Sequence, residues 1–331
     1  MGADRRVQSG ARGNGVAAAT GSATIRGMTS TPDRQAVVDF LTQLHRHPVR
    51  DLEPLTGGFW SSAYGYRCGE GRLVLRLGTV PEGFVMDREA MVHSRIDLPV
   101  PEVLDIGDAF GQSYAISRRA DGRFLEDVRA DETAVVGPTL GRLLAALRSI
   151  ERDSVCGERW HNALLAQLDD TPDQRHHGWR AALREHPDVD ALFEAARARV
   201  IELLPHCPLR GDRVHGDLLY KNVLISDDGR DVNAVFSWKC SGWGDFLFDT
   251  AWCTFWSPWH EGIRACDPWE RTISAPDLTP ADLVDAGLRH HCYELQIGAS
   301  HLGWNLWADD GELPGVIRQL EHVLARGPLA P

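Results

Sequence analysis

One short loop of the chain combines a carboxylate and an amide at a spacing that suits phosphoryl transfer. Asp217 ends the triplet His215-Gly216-Asp217, and Asn222 follows it by five residues, between two apolar runs. In a loop of this kind the carboxylate accepts the proton of an attacking hydroxyl, and the amide oxygen holds Mg²⁺ on the phosphates of ATP. The spacing therefore predicts Asp217 as the catalytic carboxylate and Asn222 as a metal ligand.

A serine stands where the second metal ligand of such a site is expected. That ligand is normally an aspartate opening the short loop after the next strand, but here the strand Ala234-Val235-Phe236 is followed by Ser237. A serine hydroxyl can ligate Mg²⁺ but brings no negative charge, so the metal should be held and positioned less firmly. Lys239 adds a positive charge nearby, which either repels the metal further or replaces part of its charge neutralisation.

A β-rich first part and a helical second part are expected to position this loop. Residues 55–64 are typical of a glycine turn leading into a strand, residues 72–77 alternate as its partner strand in a hairpin, and two more strands are predicted at residues 103–106 and 112–116. Apolar residues at i, i+3 and i+4 predict helices at residues 36–44, 87–94, 134–150, 160–168, 179–183 and 189–204. We therefore expect an α+β fold with two lobes. A disordered leader over residues 1–30 precedes a β-rich N-terminal nucleotide-binding lobe (31–118) and a helical C-terminal lobe with the catalytic and acceptor sites (119–331).

Composition argues against several classes of function. The net charge of −12 argues against a nucleic-acid-binding surface and is compatible with a cationic partner. The seven cysteines are scattered, odd in number and without a Cys-x-x-Cys pair, so they support neither a disulfide framework nor a zinc site. No apolar run approaches the ~18 residues that a membrane span needs. We expect a cytoplasmic protein that binds neither nucleic acid nor a membrane.

Blocks of sequence in a fixed order connect the catalytic loop to a known family. They comprise the loop itself at residues 214–224, the segment 244–249, Gly83-Phe84, Asp87-Arg88, and residues 99–107, 116–120 and 255–259. With this series the chain resembles the aminoglycoside phosphotransferases, in particular their hygromycin branch. The resemblance runs from about residue 50 to beyond residue 300. It implies a bilobal protein-kinase-like fold.

The resemblance also implies roles for the residues that support the loop. Asp217 is the general base or hydroxyl-orienting carboxylate, and His215 braces the loop rather than reacting. Asp249 accepts backbone N–H bonds from the catalytic loop. Asp245 either holds the loop or serves as a substitute metal ligand beside Asn222.

The nucleotide-binding residues are expected mainly in the first lobe. A hairpin with glycines at its mouth can lie over the phosphates, because glycine lets backbone N–H groups approach closely, although a glycine pair is more often an ordinary turn. By resemblance an arginine takes the position of the usual phosphate-binding lysine, an acidic residue on the next helix is its ion-pair partner, and the connector meets adenine through backbone groups. Alternatively, the arginine is a surface charge on its strand and the acidic residue lies on the solvated face of its helix. The residues are Gly57, Gly58, Arg76, Glu89, Ser117 and Arg119.

Two groups of residues could form the binding site for the acceptor. Eight of the 11 tryptophans lie from position 238 onward and either stack on a ligand or fill the core of the helical lobe, as the spacing of Trp252, Trp256 and Trp259 suggests. Asp310 and Glu312, with the neighbouring Asp309, either line a cleft for a cationic substrate or form a solvated acidic turn.

The leading hypothesis is an ATP-dependent O-phosphotransferase that moves the γ-phosphate to a hydroxyl of a small natural-product or aminoglycoside-like acceptor, with ATP and Mg²⁺ as cofactors. Two alternatives stay open: a kinase-like enzyme acting on Ser or Thr of a peptide natural product, and a pseudokinase that binds without transferring. Ser237 is accordingly a natural divergence, a mark of a pseudokinase, or an engineered loss of the metal ligand.

Overall fold

A computed structural model describes residues 32–56, 61–150, 155–172, 174 and 176–330. The leader expected over residues 1–30 and the predicted phosphate-covering glycines, Gly57 and Gly58, lie outside the described residues.

The first part of the chain is built on one antiparallel sheet. Its strands run in the spatial order β1-β2-β3-β5-β4. The hairpin predicted from the sequence is present as β2–β3, and the two further predicted strands pair with each other as β4 and β5, whereas β1 was not predicted. The sequence of β1 shows little alternation: only Leu52 is buried along it, and it carries Pro54, which suits an edge strand. The bounds are β1 Val49–Leu55, β2 Ser61–Cys68, β3 Gly71–Gly78, β4 Val103–Ala109 and β5 Gln112–Arg118.

Two helices accompany this sheet. The first, α1 (Arg34–His45), begins after Asp33, whose side chain accepts the backbone N–H groups of Gln35 and Ala36. The second, α2, spans Pro81–Ala90, so the helix predicted at residues 87–94 was wrong in its bounds. Pro81 supplies a preorganised first helical residue, and residues 91–93 form a separate 3₁₀ turn.

The second part is mainly helical, with short strands on both sides of the catalytic loop. Strands β6, β8 and β9 form one small sheet, and β7 pairs with β10. The loop connects β7 to β8. The strands are β6 Arg123–Phe124, β7 Asp212–Val214, β8 Val223–Ile225, β9 Val232–Val235 and β10 Gly242–Gly244. The helices are α3 Thr133–Arg148, α4 Val155–Ala166, α5 Trp179–Arg184, α6 Pro187–Leu203, α7 Leu247–Trp256, α8 Glu261–Cys266, α9 Pro268–Ile273, α10 Ala286–Ala308 and α11 Leu313–Arg326.

Helix α10 is the centre of the larger core and packs against α6, α7 and α11. Trp252 and Trp256 lie on α7 and are buried, which confirms the interpretation of this pair as core. Trp259 lies in the following 3₁₀ turn, and its indole N–H donates to Glu312. Within the described residues, no helix has the length and apolar character required to cross a membrane.

Candidate active site

The catalytic loop is folded tightly enough to bring Asp217 and Asn222 into contact. Gly216 has φ 77°, and a Cβ atom at this position would lie 2.6 Å from the carbonyl oxygen of Cys240, so only glycine fits. The Asn222 amide nitrogen donates to the Asp217 carboxylate at 2.8 Å and to the Asp217 carbonyl at 2.7 Å. Because the amide nitrogen is the atom that contacts Asp217, the amide oxygen of Asn222 remains available to a ligand.

His215 stabilises the catalytic loop through hydrogen bonds of both ring nitrogens. The backbone N–H of Asp217 donates to His215 Nδ1 at 3.2 Å, which places the ring proton on Nε2, and Nε2 donates to the carbonyl of Phe236 at 3.1 Å. Burial lowers the pKa of His215 to about 4. The ring is therefore neutral at pH 7 and acts as a brace between the loop and the segment before Ser237.

Asp249, in the first turn of α7, makes the contact expected from the sequence. Its two carboxylate oxygens accept the backbone N–H groups of His215 and Gly216, each at 2.8 Å. Burial raises the pKa of Asp249 to about 6, against the lowering effect of these hydrogen bonds. The aspartate thus fixes the start of the catalytic loop.

The environment of Asp217 favours proton uptake. Burial raises the pKa of the Asp217 carboxyl well above its usual range, and the hydrogen bond from Asn222 opposes this only in part. The neighbouring carboxylates of Glu126 and Asp249 raise it further. A carboxylate with a raised pKa is a stronger base, which is the property needed to accept a hydroxyl proton.

A cavity of about 270 Å³ lies beside this loop, between the sheet and the second part of the chain. Apolar side chains of Val74, Val103, Leu224 and Phe236 line it, and such surfaces suit a flat heterocycle. Five residues predicted from the sequence lie together on its wall, namely Arg76, Ser117, Arg119, Asn222 and Ser237.

The ion-pair partner of Arg76 is Asp87, so the prediction of Glu89 was wrong. The guanidinium of Arg76 donates to one oxygen of the Asp87 carboxylate. Glu89 is exposed on α2, because residues two positions apart on a helix point in different directions. Asp87 shares the buried face with Phe84 and Ala90, three residues to either side. This spacing was the available signal in the sequence.

Asp87 also connects α2 to the segment after Ser237. Its second carboxylate oxygen accepts the backbone N–H of Trp238 at 2.7 Å, and its side chain is 4% exposed. The guanidinium of Arg76 lies 5.1 Å from the ring centroid of Phe84. Asp87 therefore fixes both the guanidinium of Arg76 and the backbone next to position 237.

Replacing Asp87 should weaken nucleotide binding, whereas replacing Glu89 should not. Asp87→Asn keeps an acceptor for the Trp238 N–H but removes the charge that orients Arg76, so we expect the dissociation constant for AMP-PNP to rise about tenfold, as for a lost charged hydrogen bond. Glu89→Gln is the matched control on the same helix. Titration calorimetry of both variants measures the difference, and an equal effect of the two substitutions would contradict the assignment.

The side chains near Ser237 fit a metal held mainly by the nucleotide. Ser237 has φ 70° and lines the cavity with Asn222. Across the described parts of the chain, no group of three or more His, Cys, Asp or Glu residues is arranged to hold a metal ion. An amide and a hydroxyl oxygen suit Mg²⁺ when phosphate oxygens and water supply the remaining ligands.

Asp245 does not replace the missing aspartate. Both of its oxygens accept from the guanidinium of Arg289 at 2.7 Å, and one also accepts the Tyr293 hydroxyl at 3.0 Å. The pair is fully buried, at 1% and 0% side-chain exposure. Asp245 therefore supports the start of α7, which carries Asp249, and the alternative of a substitute metal ligand is wrong.

An acidic rim surrounds Tyr220, next to Asp217. Burial and the charges of Asp217 and Glu312 raise the pKa of the Tyr220 hydroxyl, and Asp310 and Glu126 add to this effect. The edge of the Tyr220 ring meets Trp256, with centroids 5.3 Å apart. Glu126 accepts the backbone N–H of Lys221 at 2.7 Å, and no spacing in the sequence pointed to it.

Asp310 and Glu312 are exposed, and each accepts a hydrogen bond from a neighbouring side chain. The amide nitrogen of Asn305 lies 2.8 Å from both oxygens of Asp310, and Glu312 accepts the indole N–H of Trp259 at 2.7 Å. Asp309 is exposed at the end of α10. Asp310 and Glu312 are the two of the three acidic residues whose charges raise the pKa of the Tyr220 hydroxyl.

The chain is similar in sequence to known phosphotransferases. The model of the APH phosphotransferase enzyme family matches residues 51–268. Hygromycin-B 4-O-kinase of Escherichia coli is 31% identical over 226 residues, which span 64% of this chain and 64% of that relative.

Solved structures extend the likeness over most of the chain. A thermostable mutant of aminoglycoside phosphotransferase APH(4)-Ia, in ternary complex with AMP-PNP and hygromycin B, superposes with a TM-score of 0.72 at 27% identity, covering 88% of this chain and 98% of that one. Spectinomycin phosphotransferase APH(9)-Ia, in complex with ADP and spectinomycin, is 10% identical and shares the fold, with a TM-score of 0.53 over 88% of this chain and 96% of its own. The fold is the bilobal protein-kinase-like fold, and the chain belongs to the APH family of phosphotransferase enzymes.

Proposed function

We propose that the protein is an ATP-dependent O-phosphotransferase that phosphorylates a hydroxyl of an aminoglycoside-like acceptor. The observation that carries this proposal is the hydrogen-bonded pair of Asp217 and Asn222 beside a cavity that also presents Arg76. In this proposal residues 31–118 form the nucleotide-binding lobe, and residues 119–331 form the catalytic and acceptor-binding lobe.

The nucleotide is held by groups on the cavity wall. The connector lines the cavity at Ser117 and Arg119, where the adenine would bind, and Arg76 directs its guanidinium at the phosphates, oriented by Asp87. Asn222 and Ser237 would hold Mg²⁺, which neutralises charge on the phosphates when bound.

Asp217 performs the proton transfer. As the acceptor oxygen attacks the γ-phosphorus, the hydroxyl proton passes to the Asp217 carboxylate, and the bond between the γ-phosphorus and the bridging oxygen of ADP breaks. The products are the phosphate monoester, ADP and a protonated Asp217, which returns its proton to solvent. Asn222 keeps the carboxylate in place through the hydrogen bond at 2.8 Å.

The acceptor class follows from the charge around Tyr220. Glu126 supplies negative charge near Asp217, and Asp310 and Glu312 supply it near the adjacent Tyr220, which suits a polyamine sugar rather than a neutral peptide hydroxyl. The curated relative carries the name of a hygromycin B kinase, so hygromycin B is the first acceptor to test. The pseudokinase alternative receives no support from the loop, because Asp217 and Asn222 retain the geometry that transfer requires.

Comparing Ser237→Asp with Ser237→Asn tests the proposal and the role of the serine together. We expect Mg²⁺-dependent ADP release with hygromycin B or a related aminoglycoside, and a mass gain of one phosphate on the acceptor. Ser237→Asp should lower the Mg²⁺ concentration for half-maximal rate at least about tenfold, the effect of losing even an outer-shell partner of a metal. Ser237→Asn, whose side chain matches aspartate in size and tolerates the left-handed backbone, should not. Absence of turnover in all three folded proteins, across a panel of aminoglycosides, would contradict the proposed function.

A further inference from the structure

The chain contains only two lysines among its 35 basic residues, and both flank the metal site in sequence. Lys221 immediately precedes Asn222, and Lys239 follows Ser237 by two residues. Because every other basic residue is arginine, a lysine at either position calls for a separate physical explanation.

The structure separates the two lysines. The stem of Lys239 packs on α2, where a Cβ atom added to Gly83 would lie 3.5 Å from Lys239 Cβ, and this lysine is not part of the cavity wall. Lys221, in contrast, is half-buried and lines the cavity beside Asn222. Of the two, Lys221 is the one that faces the nucleotide site.

The loop holds Lys221 in a fixed and strained conformation. Its backbone has φ 66°, a left-handed value that is unfavourable for a residue with a side chain, and its N–H donates to Glu126 at 2.7 Å. The ammonium nitrogen lies 5.6 Å from the centroid of the Phe124 ring, which also lines the cavity. Strain of this kind is found where a side chain must be aimed at a ligand.

Lys221 differs from the other cations of the cavity in its charge balance. Those arginines each form an ion pair: Arg76 with Asp87, Arg118 with Glu102, and Arg119 with Glu53. Within the part of the chain that the structure describes, Lys221 is the cavity cation that forms no ion pair. Burial raises the pKa of the nearby Glu126 carboxyl and the charge of Lys221 lowers it, but no ion pair among the described residues neutralises that charge. The charge is therefore available to an anion.

We propose that Lys221 binds the terminal phosphates of ATP and supplies part of the charge neutralisation that a carboxylate-held metal would otherwise provide at position 237. The proposal rests on the proposed function. An ammonium is a compact point charge with three donors, which suits phosphate oxygens next to a metal with few protein ligands. Serine in place of aspartate at position 237 removes a negative charge from the site, and Lys221 supplies a positive charge. Both make the site more favourable for the negatively charged triphosphate.

Nucleotide binding without turnover tests this role. Lys221→Met keeps the length of the side chain and removes its charge. With Mg²⁺ held constant, titration calorimetry should show that AMP-PNP binds about tenfold or more weakly, as for a lost charged hydrogen bond, while AMP binds within about twofold of the unsubstituted chain, a change of under about 0.5 kcal/mol. Lys239→Met is the matched control and should leave both affinities unchanged.

The outcomes distinguish this proposal from the function it rests on. If Lys221→Met binds AMP-PNP as tightly as the unsubstituted chain, or weakens AMP and AMP-PNP equally, the role of Lys221 is overturned and the phosphotransferase proposal stands. If the folded, unsubstituted chain binds neither nucleotide, both are overturned.

A chemical probe gives an independent readout. In an acyl-phosphate derivative of ATP, the neutral amine of a lysine near the phosphates attacks the acyl carbon, forms an amide, loses a proton and releases ATP. Mass spectrometry of the labelled chain should locate the acyl group on Lys221, and excess ATP should prevent the labelling. Labelling of Lys239 in place of Lys221, or labelling that ATP does not prevent, would overturn the proposal.

Discussion

Asp217→Asn should lower kcat for phosphoryl transfer by about 10²–10⁴-fold, the range that a positioned general base contributes. Asparagine matches aspartate in size and can still accept the Asn222 hydrogen bond seen at 2.8 Å, so the loop should keep its shape. The variant loses only the ability to take up the hydroxyl proton. A coupled assay of ADP release measures kcat, and an unchanged affinity for AMP-PNP serves as the control for folding and nucleotide binding.

The pH profile provides a second test of the same residue. Burial raises the pKa of Asp217 well above its usual range, and the active form is the ionised carboxylate. The rate should therefore be full above this raised pKa and fall as the pH drops through it, at a higher pH than an ordinary aspartate would give. Asp217→Asn should abolish this acidic limb.

Glu126→Gln offers a finer measurement on the acidic limb. The charge of Glu126 contributes to the raised pKa of Asp217, so its removal should move the limb to lower pH. Because the glutamine side chain of this variant retains an oxygen that can accept the backbone N–H of Lys221, the loop contact seen at 2.7 Å is expected to persist. An acidic limb that survives unchanged in Asp217→Asn would show that another group controls the rate.

The catalytic loop and its brace were predictable because their chemistry is encoded at short spacing. Asp217 and Asn222 stand five residues apart, and the apolar runs around them already predicted a loop between strands. The hairpin β2–β3 was likewise predictable from alternation and glycine turns, and β4 and β5 were predicted as two further strands. The roles suggested by the resemblance, such as Asp249 beneath the loop, supplied partners that spacing alone does not give.

Features that depend on helix bounds or on distant pairing were missed. The ion-pair partner of Arg76 was missed because the predicted helix began at residue 87 and left out Phe84; with α2 beginning at Pro81, the spacing of Phe84, Asp87 and Ala90 marks Asp87 as inward and Glu89 as outward. Strand β1 was missed because an edge strand needs little alternation. The acidic rim around Tyr220 combines residues from distant segments of the chain, which no local pattern in one sequence records.

The contact between Arg289 and Asp245 is the clearest case of such long-range pairing, and breaking it should destabilise the protein strongly. The two residues are 44 positions apart, fully buried and joined by two hydrogen bonds of 2.7 Å. Arg289 also donates to the carbonyls of Asp282 and Val284, at 2.6 and 3.0 Å. Arg289→Met should reduce the free energy of unfolding by about 3–5 kcal/mol, because it leaves a buried carboxylate without its cation.

An ion pair on the surface serves as a control that distinguishes the effect of burial on stability from the effect of charge pairing alone. Arg230 lies 3.4 Å from Asp228, and these side chains are 70% and 60% exposed, so Arg230→Met should cost less than about 1 kcal/mol. Chemical denaturation of both variants measures the contrast. The double variant Arg289→Met with Asp245→Leu should recover much of the loss, since replacing a buried ion pair with apolar residues is often close to neutral.

The same variants show whether this pair acts on the site or only on stability. Asp245 accepts the backbone N–H of Leu247 at 3.1 Å, at the start of the helix that presents Asp249 to the catalytic loop. If the double variant regains stability but not kcat, the ion pair positions α7 for catalysis, because packing would then be restored without the polar contact that orients the helix. If stability and kcat recover together, its role is confined to the core. Equal, small losses of stability in Arg289→Met and Arg230→Met would contradict the assignment of the buried pair as a principal support of this fold.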